Sequence, residues 1–444
     1  MRRDASSTDR SGRGPSIERR EYARRRRRLI EEAGEDCAII VPAAPIARRN
    51  RDIEYPYRPD SDFFYLTGFP EPDSVALMLP GRSAGEYLLF CREHEPYEER
   101  MHGPRAGLDG ACDRYGADDA FPIDDIDEIL PRLLEDRPRI WYSMGEYPAF
   151  DARMLGWLER LRTRPADPSE LVDLHYRVHE MRLYKSQAEV RMIRRAVELT
   201  AGAHRRAMAA CRPGLAEYEV EAEILYVLHR AGCRSPAYPC IVAAGGNACR
   251  PHYTANAGTL RDGELVLVDA GAEYGFYAAD VTRTWPVGGR FSEAQRSLYE
   301  LVLDAQRAAI GEVRPGRSWQ APHAAAAEVL TEGLFSLGVV RAGGNDVMNR
   351  LCAYPTGHWL GLDVHDVADY RVGGEPRELE PGMVMTVEPG LYIDPEESGV
   401  ASRWRGIGIR VEDVVLVTRD GVEVLSSSIP KSAEDLEKVV GSGA

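Results

Sequence analysis

Asp269, Asp280, His358, Glu388 and Glu412 are the residues whose types and settings point to chemistry. They stand in the runs LVLVDAGAEY, GFYAADVTRTW, TGHWLGLDVHD, GMVMTVEPGLY and GIGIRVEDVV. In most of these an acid closes or interrupts an apolar stretch, where a carboxylate is costly to bury unless it is paired or binds metal. Four carboxylates and one imidazole suit a pair of divalent cations. The set favours Mn, Co, Fe or Zn over copper and excludes a thiolate-type zinc site. Two such ions about 3.5–4 Å apart can share and activate one water and polarise a scissile carbonyl. Hydrolysis is therefore the first reaction class to consider.

Asp269 and Asp280 lie eleven positions apart with the turn residues Glu273–Gly275 between them. That pattern predicts a hairpin that brings both acids to one end of paired strands, although taken alone either acid could simply cap a turn. His358 stands between Gly357 and Gly361, and close backbone packing around a ligand loop calls for such glycines. His365, seven positions on, reads as a supporting or substrate-contacting group. Glu388 precedes the sharp turn Pro389–Gly390 and is the candidate to accept a proton from an activated water. Strand alternation puts Arg410 and Glu412 on one face, so Arg410 is expected to fix Glu412 by a charge-assisted bond, while Asp413 points the other way. His252, in the loop GGNACRPHYTAN, could bind or protonate a substrate, or be an ordinary loop histidine.

The elements that must position these groups fall into two parts. In the first, apolar runs at 37–41, 75–79, 86–90 and 139–142 alternate with helical stretches such as 126–134, which suggests an α/β domain. It opens with a helix over 17–33 whose arginines, Arg24 to Arg28, read as a solvated face. The domain changes near 173–180, giving domains at 18–175 and 176–444 after a disordered tail at 1–17. Beyond the change, Ser186 and Glu189 have capping-box spacing ahead of Val190, Ile193 and Val197. Further helices are expected over 217–231, 292–313 and 319–337, and the last hundred residues read as strands and loops carrying the ligands.

The chain of 444 residues has 44% hydrophobic and 29% charged residues, as soluble globular proteins do. Its net charge of −15 weighs against nucleic acid as a partner. No apolar run approaches the roughly 20 residues of a membrane span, and the N-terminus lacks the apolar core of a secretory signal. Eight scattered cysteines without a C-x-x-C pair read as reduced thiols. There is no nucleotide loop, no G-x-S-x-G elbow and no H-E-x-x-H helix.

In this order the ligand runs resemble the metal-dependent peptidase family with the "pita-bread" fold, and within it the bacterial aminopeptidase P branch. The likeness spans nearly the whole chain, including RNRDIEYPYRPDSDFFYLTGFPEPDSVALML and HEMRLYKSQAEVRMIRRA. It implies an α/β N-terminal domain followed by a catalytic domain of two α/β halves around a curved antiparallel sheet. It also implies two manganese ions. Asp269 and Asp280 would bind one ion, Asp280 also the other, Glu388 and Glu412 both, and His358 one only. His252, His365 and Arg410 match positions that contact substrate or support catalysis, and Tyr392 matches a tyrosine near the metals. The implied reaction releases the first residue from peptides with proline second. A cytoplasmic homo-oligomer, dimer or tetramer, is implied as well. Prolidase, methionine aminopeptidase and a metal-free pita-bread binding protein are the alternatives. Two positions depart from the family pattern: Tyr354, where a histidine is common, and Met101, where a tryptophan is common.

Overall fold

The structure, a computed structural model, describes residues 14–161, 168–340, 350–352 and 355–443. The first thirteen residues of the expected tail, and Tyr354, lie outside the described residues. The chain divides into two compact units, residues 17–182 and residues 183–443, the latter also taking residues 14–16.

The first unit is built on α1 (Arg19–Ala33), β1 (Cys37–Pro42), α2 (Ser61–Thr67), β2 (Val75–Met78), β3 (Tyr87–Cys91), α3 (Pro96–His102), α4 (Gly107–Asp113), β4 (Asp119–Pro122), α5 (Ile126–Leu133), β5 (Arg139–Trp141), α6 (Pro148–Leu161), β6 (Glu170–Val172) and α7 (His175–Leu183). Its strands form one mixed sheet in the order β4-β3-β2-β1-β5-β6. The β1–β2 and β2–β3 pairs are antiparallel and the outer pairs parallel. Ile40, Leu77, Leu88 and Ile140 of the sheet pack with Leu130 of α5 and Trp157 of α6. Burial of this apolar surface, at roughly 25 cal/mol per Å², is what holds the layers together.

One expectation fails here. Arg25 and Arg26 of α1 are buried, not part of a solvated face. Arg25 Nη1 donates to Tyr65 O at 2.9 Å and its guanidinium lies 4.0 Å from the Tyr65 ring centroid. Arg26 Nη1 donates to Leu66 O at 2.8 Å and sits 3.8 Å from the Tyr87 ring centroid. The last carbonyls of α2 have no partner inside that helix, and a cation there also meets the negative end of the helix dipole. Two of the five arginines therefore cap a helix. Met101, on α3, is exposed.

The second unit begins with α8 (Gln187–Ala210), whose capping box is complete: Ser186 Oγ accepts from Glu189 N, and the Glu189 side chain accepts from Ser186 N. Then come α9 (Glu217–Arg230), β7 (Ile241–Ala244), β8 (Leu265–Asp269), β9 (Glu273–Tyr274), β10 (Tyr277–Ala278), β11 (Thr282–Pro286), α10 (Glu293–Glu312), α11 (Ala321–Ser336), β12 (Arg371–Val372), β13 (Glu375–Pro376), β14 (Val384–Val387), β15 (Gly390–Ile393), β16 (Ile407–Arg410), β17 (Asp413–Thr418), β18 (Gly421–Val424) and α12 (Ala433–Val439). Among the described residues every ladder pair in this unit is antiparallel, with orders β11-β8-β7, β14-β17-β18 and β15-β16. Short sheets joined at their ends present many strand termini to one place, and all five candidate ligands lie at or next to strand termini or in a loop beside them. No helix among the described residues is long and apolar enough to cross a membrane.

Candidate metal centre

The β8–β11 pairing sets Thr282 opposite Asp269. Asp269 ends β8, and Asp280 lies two residues before β11, beyond the small β9–β10 ribbon. The expected hairpin is thus present with an extra ribbon in its turn. Behind it His204, fully buried on α8, is 3.0 Å from Val281 O and 3.4 Å from Ala270 O, which ties together the segments carrying both aspartates.

His358 is held by its backbone. Its carbonyl accepts from Thr386 N at 2.9 Å and its N–H donates to Thr386 Oγ1 at 3.1 Å. A Cβ on Gly357 would lie 2.2 Å from Thr386 O, so only glycine permits this approach. Imidazole Nδ1 lies 2.9 Å from Trp359 O, which fixes it as the donor and leaves Nε2 as the ligand nitrogen. That Nε2 is 3.2 Å from Asp280 Oδ2 and 3.4 Å from Glu388 Oε1. Glu388 follows β14, and its carboxylate also accepts from Thr386 Oγ1 at 3.2 Å. Glu412, between β16 and β17, accepts from Thr282 Oγ1 at 2.7 Å.

Arg410 does not behave as expected. Its Nη2 pairs with Asp269, Nε donates to Thr282 Oγ1 at 2.9 Å, and Nη1 donates to Tyr392 Oη at 2.8 Å. The partner is Asp269 rather than Glu412, because β16 lies against β8 and β11 and points its guanidinium across to the end of β8. Asp413 turns away from the site, as expected. Tyr238 escaped sequence reasoning. Its hydroxyl meets Asp269 Oδ1 and Asp280 Oδ1 together. The only hint was a tyrosine between prolines in SPAYPC. Thr282 and Thr386 were also missed; Thr386 was visible as the lone hydroxyl of the apolar strand VMTV, whereas Thr282 shares its strand TRTWP with Arg283 and Thr284.

The five candidate ligands, Tyr238, Tyr392 and Arg410 line one cavity of about 470 Å³ with His252, His365, Ile241, Pro239 and Val364. The loop bearing His252 is organised by the buried carboxylate of Glu217. It accepts from Ala244 N at 2.8 Å, Asn247 Nδ2 at 3.0 Å, Tyr253 Oη at 2.8 Å and Gly258 N at 2.6 Å. His365 stands edge-on to His358, with ring centroids 4.5 Å apart. The residue after it, Asp366, is pinned by Lys185 Nζ at 2.8 Å. All the residues proposed from sequence therefore meet in one place.

The electrostatics are lopsided. Three buried carboxylates, Asp269, Asp280 and Glu412, and the partly buried Glu388 face one guanidinium, that of Arg410, beside the imidazoles of His252, His358 and His365. Burial pushes Asp269 up to about 6, against the opposing pull of Arg410. Burial likewise pushes Glu388 up to about 7, and it raises Glu412 well above the usual carboxylate range. At Asp280 burial also acts upward, but the bond and charge of His358 win and hold it low. His358 is in turn raised to about 9, as Asp280 and Glu388 outweigh its burial. One hydroxyl hydrogen, from Tyr238, is shared by two carboxylates. Carboxylates crowded this way share protons or bind cations. The donors fit divalent cations: oxygen-rich, one imidazole, no thiolate, with donor atoms of Asp280, His358 and Glu412 within 4.8 Å of one another.

Residues 191–419 match metallopeptidase family M24, and residues 22–141 match the aminopeptidase P N-terminal domain. The chain belongs to metallopeptidase family M24. It is 41% identical over 436 residues to a Xaa-Pro aminopeptidase of Escherichia coli, spanning 96% of this chain and 98% of that one. It superposes on the aminopeptidase PepP of Pseudomonas aeruginosa with a TM-score of 0.93 and 51% identity, covering 95% and 98% of the two chains. It superposes on proline aminopeptidase P II of Yersinia pestis with a TM-score of 0.92 and 42% identity, covering 95% and 99%. The mixed sheet of the first unit and the antiparallel sheets of the second are thus an aminopeptidase P N-terminal domain and a pita-bread domain. The fold expected from the ligand runs is the fold observed, and the protein is a metal-dependent peptide hydrolase.

Proposed function

We propose that this M24 peptidase is a Xaa-Pro aminopeptidase, removing the first residue from peptides whose second residue is proline. The observation that carries this is the convergence of Asp269, Asp280, His358, Glu388 and Glu412 in one cavity with two further imidazoles and an apolar flank. These five residues would hold two divalent ions, manganese in our reading. Bound there, the ions would supply Lewis-acid activation of a water and polarisation of the scissile carbonyl.

The chain's own groups do the rest. Tyr238 and Arg410 orient Asp269, Tyr238 also orients Asp280, and Thr282 and Thr386 orient Glu412 and Glu388, so the donors are held before any ion arrives. Glu388, a carboxylate at the edge of the cavity beside His358, accepts the proton of the attacking water. His252 and His365 contact the substrate and bring a proton toward the departing proline nitrogen. Tyr392, held by Arg410, lines the substrate side. Ile241, Pro239 and Val364 offer apolar surface to a pyrrolidine ring. Eight free thiols suit a reducing cytoplasm, and a homo-oligomer is the expected assembly.

The test is to load the protein with manganese and offer Xaa-Pro-Yaa and Xaa-Pro separately, reading products by mass spectrometry. Release of Xaa from the tripeptide, with little action on the dipeptide, supports the proposal. A preference for the dipeptide makes the protein a prolidase, and silence on both with two ions bound sinks the reading.

A further inference from the structure

Three more metal-ligating side chains converge in the first unit, apart from the pocket above. His175 and His179 are four positions apart on α7, so their imidazoles leave one face of the helix. The rings stack with centroids 5.0 Å apart and planes 28° apart. From the first turn of α2, Asp62 reaches the same point, with Oδ2 3.1 Å from His179 Nε2. One donor atom from each of the three lies within 4.8 Å of the others. The side chains of Asp62, His175 and His179 are 13%, 30% and 24% exposed, shielded yet open to an ion from solvent.

The surroundings orient these donors. Asp62 Oδ1 takes Arg182 Nη1 at 2.8 Å, which leaves Oδ2 directed at the imidazoles. Asp173 Oδ1 accepts from His175 N at 3.1 Å and lies 3.5 Å from His175 Nδ1, which holds the start of α7 and puts a carboxylate beside that side of the imidazole. Arg182 offsets one negative charge, but Asp60 adds another close by. Burial, and then the charge of Asp62, raise the Asp60 carboxyl, which also accepts from Phe63 N and Tyr147 Oη.

We infer that Asp62, His175 and His179 form a separate site for one divalent transition ion, zinc by its two-imidazole, one-carboxylate donor set, clamping α7 to α2. Three protein ligands leave a fourth position for water, as open zinc sites have. This does not depend on the aminopeptidase reading.

The experiment uses the full chain in wild-type, His175→Ala, His179→Ala and Asp280→Ala forms. Each is loaded with manganese, dialysed against micromolar Zn²⁺, and analysed for total metal and for melting temperature. The expected wild-type content is one ion more than the M24 pocket holds, with Zn²⁺ raising the melting temperature. His175→Ala and His179→Ala should each lose that one ion and the zinc-dependent rise, with peptidase activity unchanged. Asp280→Ala should keep the ion while losing metal from the pocket, so the two sites fail independently. His175→Ala, altering the most exposed of the three ligands, guards against a folding defect in His179→Ala. A wild-type chain with no zinc beyond the Asp280-dependent ions, or an extra ion retained by both histidine variants, overturns the inference and leaves a plain histidine–aspartate–arginine ion-pair cluster.

Discussion

Glu412 and Asp413 are neighbours in sequence, both buried, and they serve opposite ends. Glu412 faces the pocket, where negative charge exceeds positive. Asp413 faces a second cluster in which two cations, Arg283 and Lys431, answer its single negative charge. Arg283 Nη2 donates to Asp413 Oδ1 at 2.7 Å, Ser426 Oγ donates to the same oxygen at 2.6 Å, and Gln306 Nε2 donates to Oδ2 at 2.9 Å. Lys431 pairs with Oδ2 as well. Burial would raise Asp413, but Arg283 and Lys431 hold it well below the usual range, whereas Glu412 is driven up. Burial alone does not mark a functional acid. What distinguishes the two is whether the protein itself supplies the compensating charge. The paired cluster is a staple; Arg283 also donates to Thr282 O at 2.9 Å and to Glu412 O, so the staple fixes the backbone of the site.

The sharpest way to break this comparison is to remove one acid from each side. Asp280→Ala or Glu388→Ala should lower turnover by on the order of a thousandfold or more; circular dichroism and melting should change little in Glu388→Ala, whose charge is surplus in the metal-free fold, whereas Asp280→Ala also takes the partner of His358. Normal turnover in either variant would refute the site assignment. Asp413→Ala should do the reverse, leaving Arg283 buried and unpaired at a cost of about 3–5 kcal/mol in stability. Denaturant unfolding would read this directly, and an unchanged midpoint would show that the cluster is not a staple.

A third buried group near the site, His204, has only the backbone carbonyls of Ala270 and Val281 as hydrogen-bond partners among the described residues. Burial, with the Arg283 charge adding to it, lowers His204 to about 4. The unfolded chain therefore takes up a proton that the folded chain refuses. Stability from this source is flat above about pH 6.5 and falls as pH drops toward 4, by roughly 3 kcal/mol in all. Unfolding midpoints of wild type and His204→Gln across that window should converge as pH falls, and parallel curves would remove His204 from the account.

Metal uptake supplies the next contrast. With His358 raised to about 9 and Glu388 to about 7, the metal-free pocket carries protons at pH 7 that ligands must shed. Loading with Mn²⁺ in weak buffer should release more than one proton per chain, with affinity rising from pH 6 to pH 9. No acidification would mean that the ligands were already ionised. The smallest effect should come from Tyr238→Phe, which removes one shared hydroxyl. A fall in kcat of about tenfold with metal still bound is the expected result. Loss of metal instead would make Tyr238 part of the holding set.

Much of the site was legible because its chemistry is local. An acid at the end of an apolar run, as at Asp269 and Glu388, or a histidine between glycines needs no partner to look anomalous. Helix starts such as Ser186–Glu189 were legible for the same reason, since a cap is satisfied within four residues. Arg25 and Arg26 of the α1 arginine run were misread because their partners, the carbonyls of Tyr65 and Leu66, lie 40 residues away, whereas Arg24, Arg27 and Arg28 are exposed as expected. Sequence alone determined which donors exist and their order along the chain, and hence the hydrolytic class. The tertiary structure decided which charges meet. Arg410 went to Asp269 rather than Glu412, Tyr238 arrived between two aspartates, and Asp413 found Arg283 while its neighbour Glu412 makes no ion pair among the described residues. The reason is that Coulomb energy and desolvation depend on distances across strands from different sheets, which side-chain alternation within one strand cannot specify.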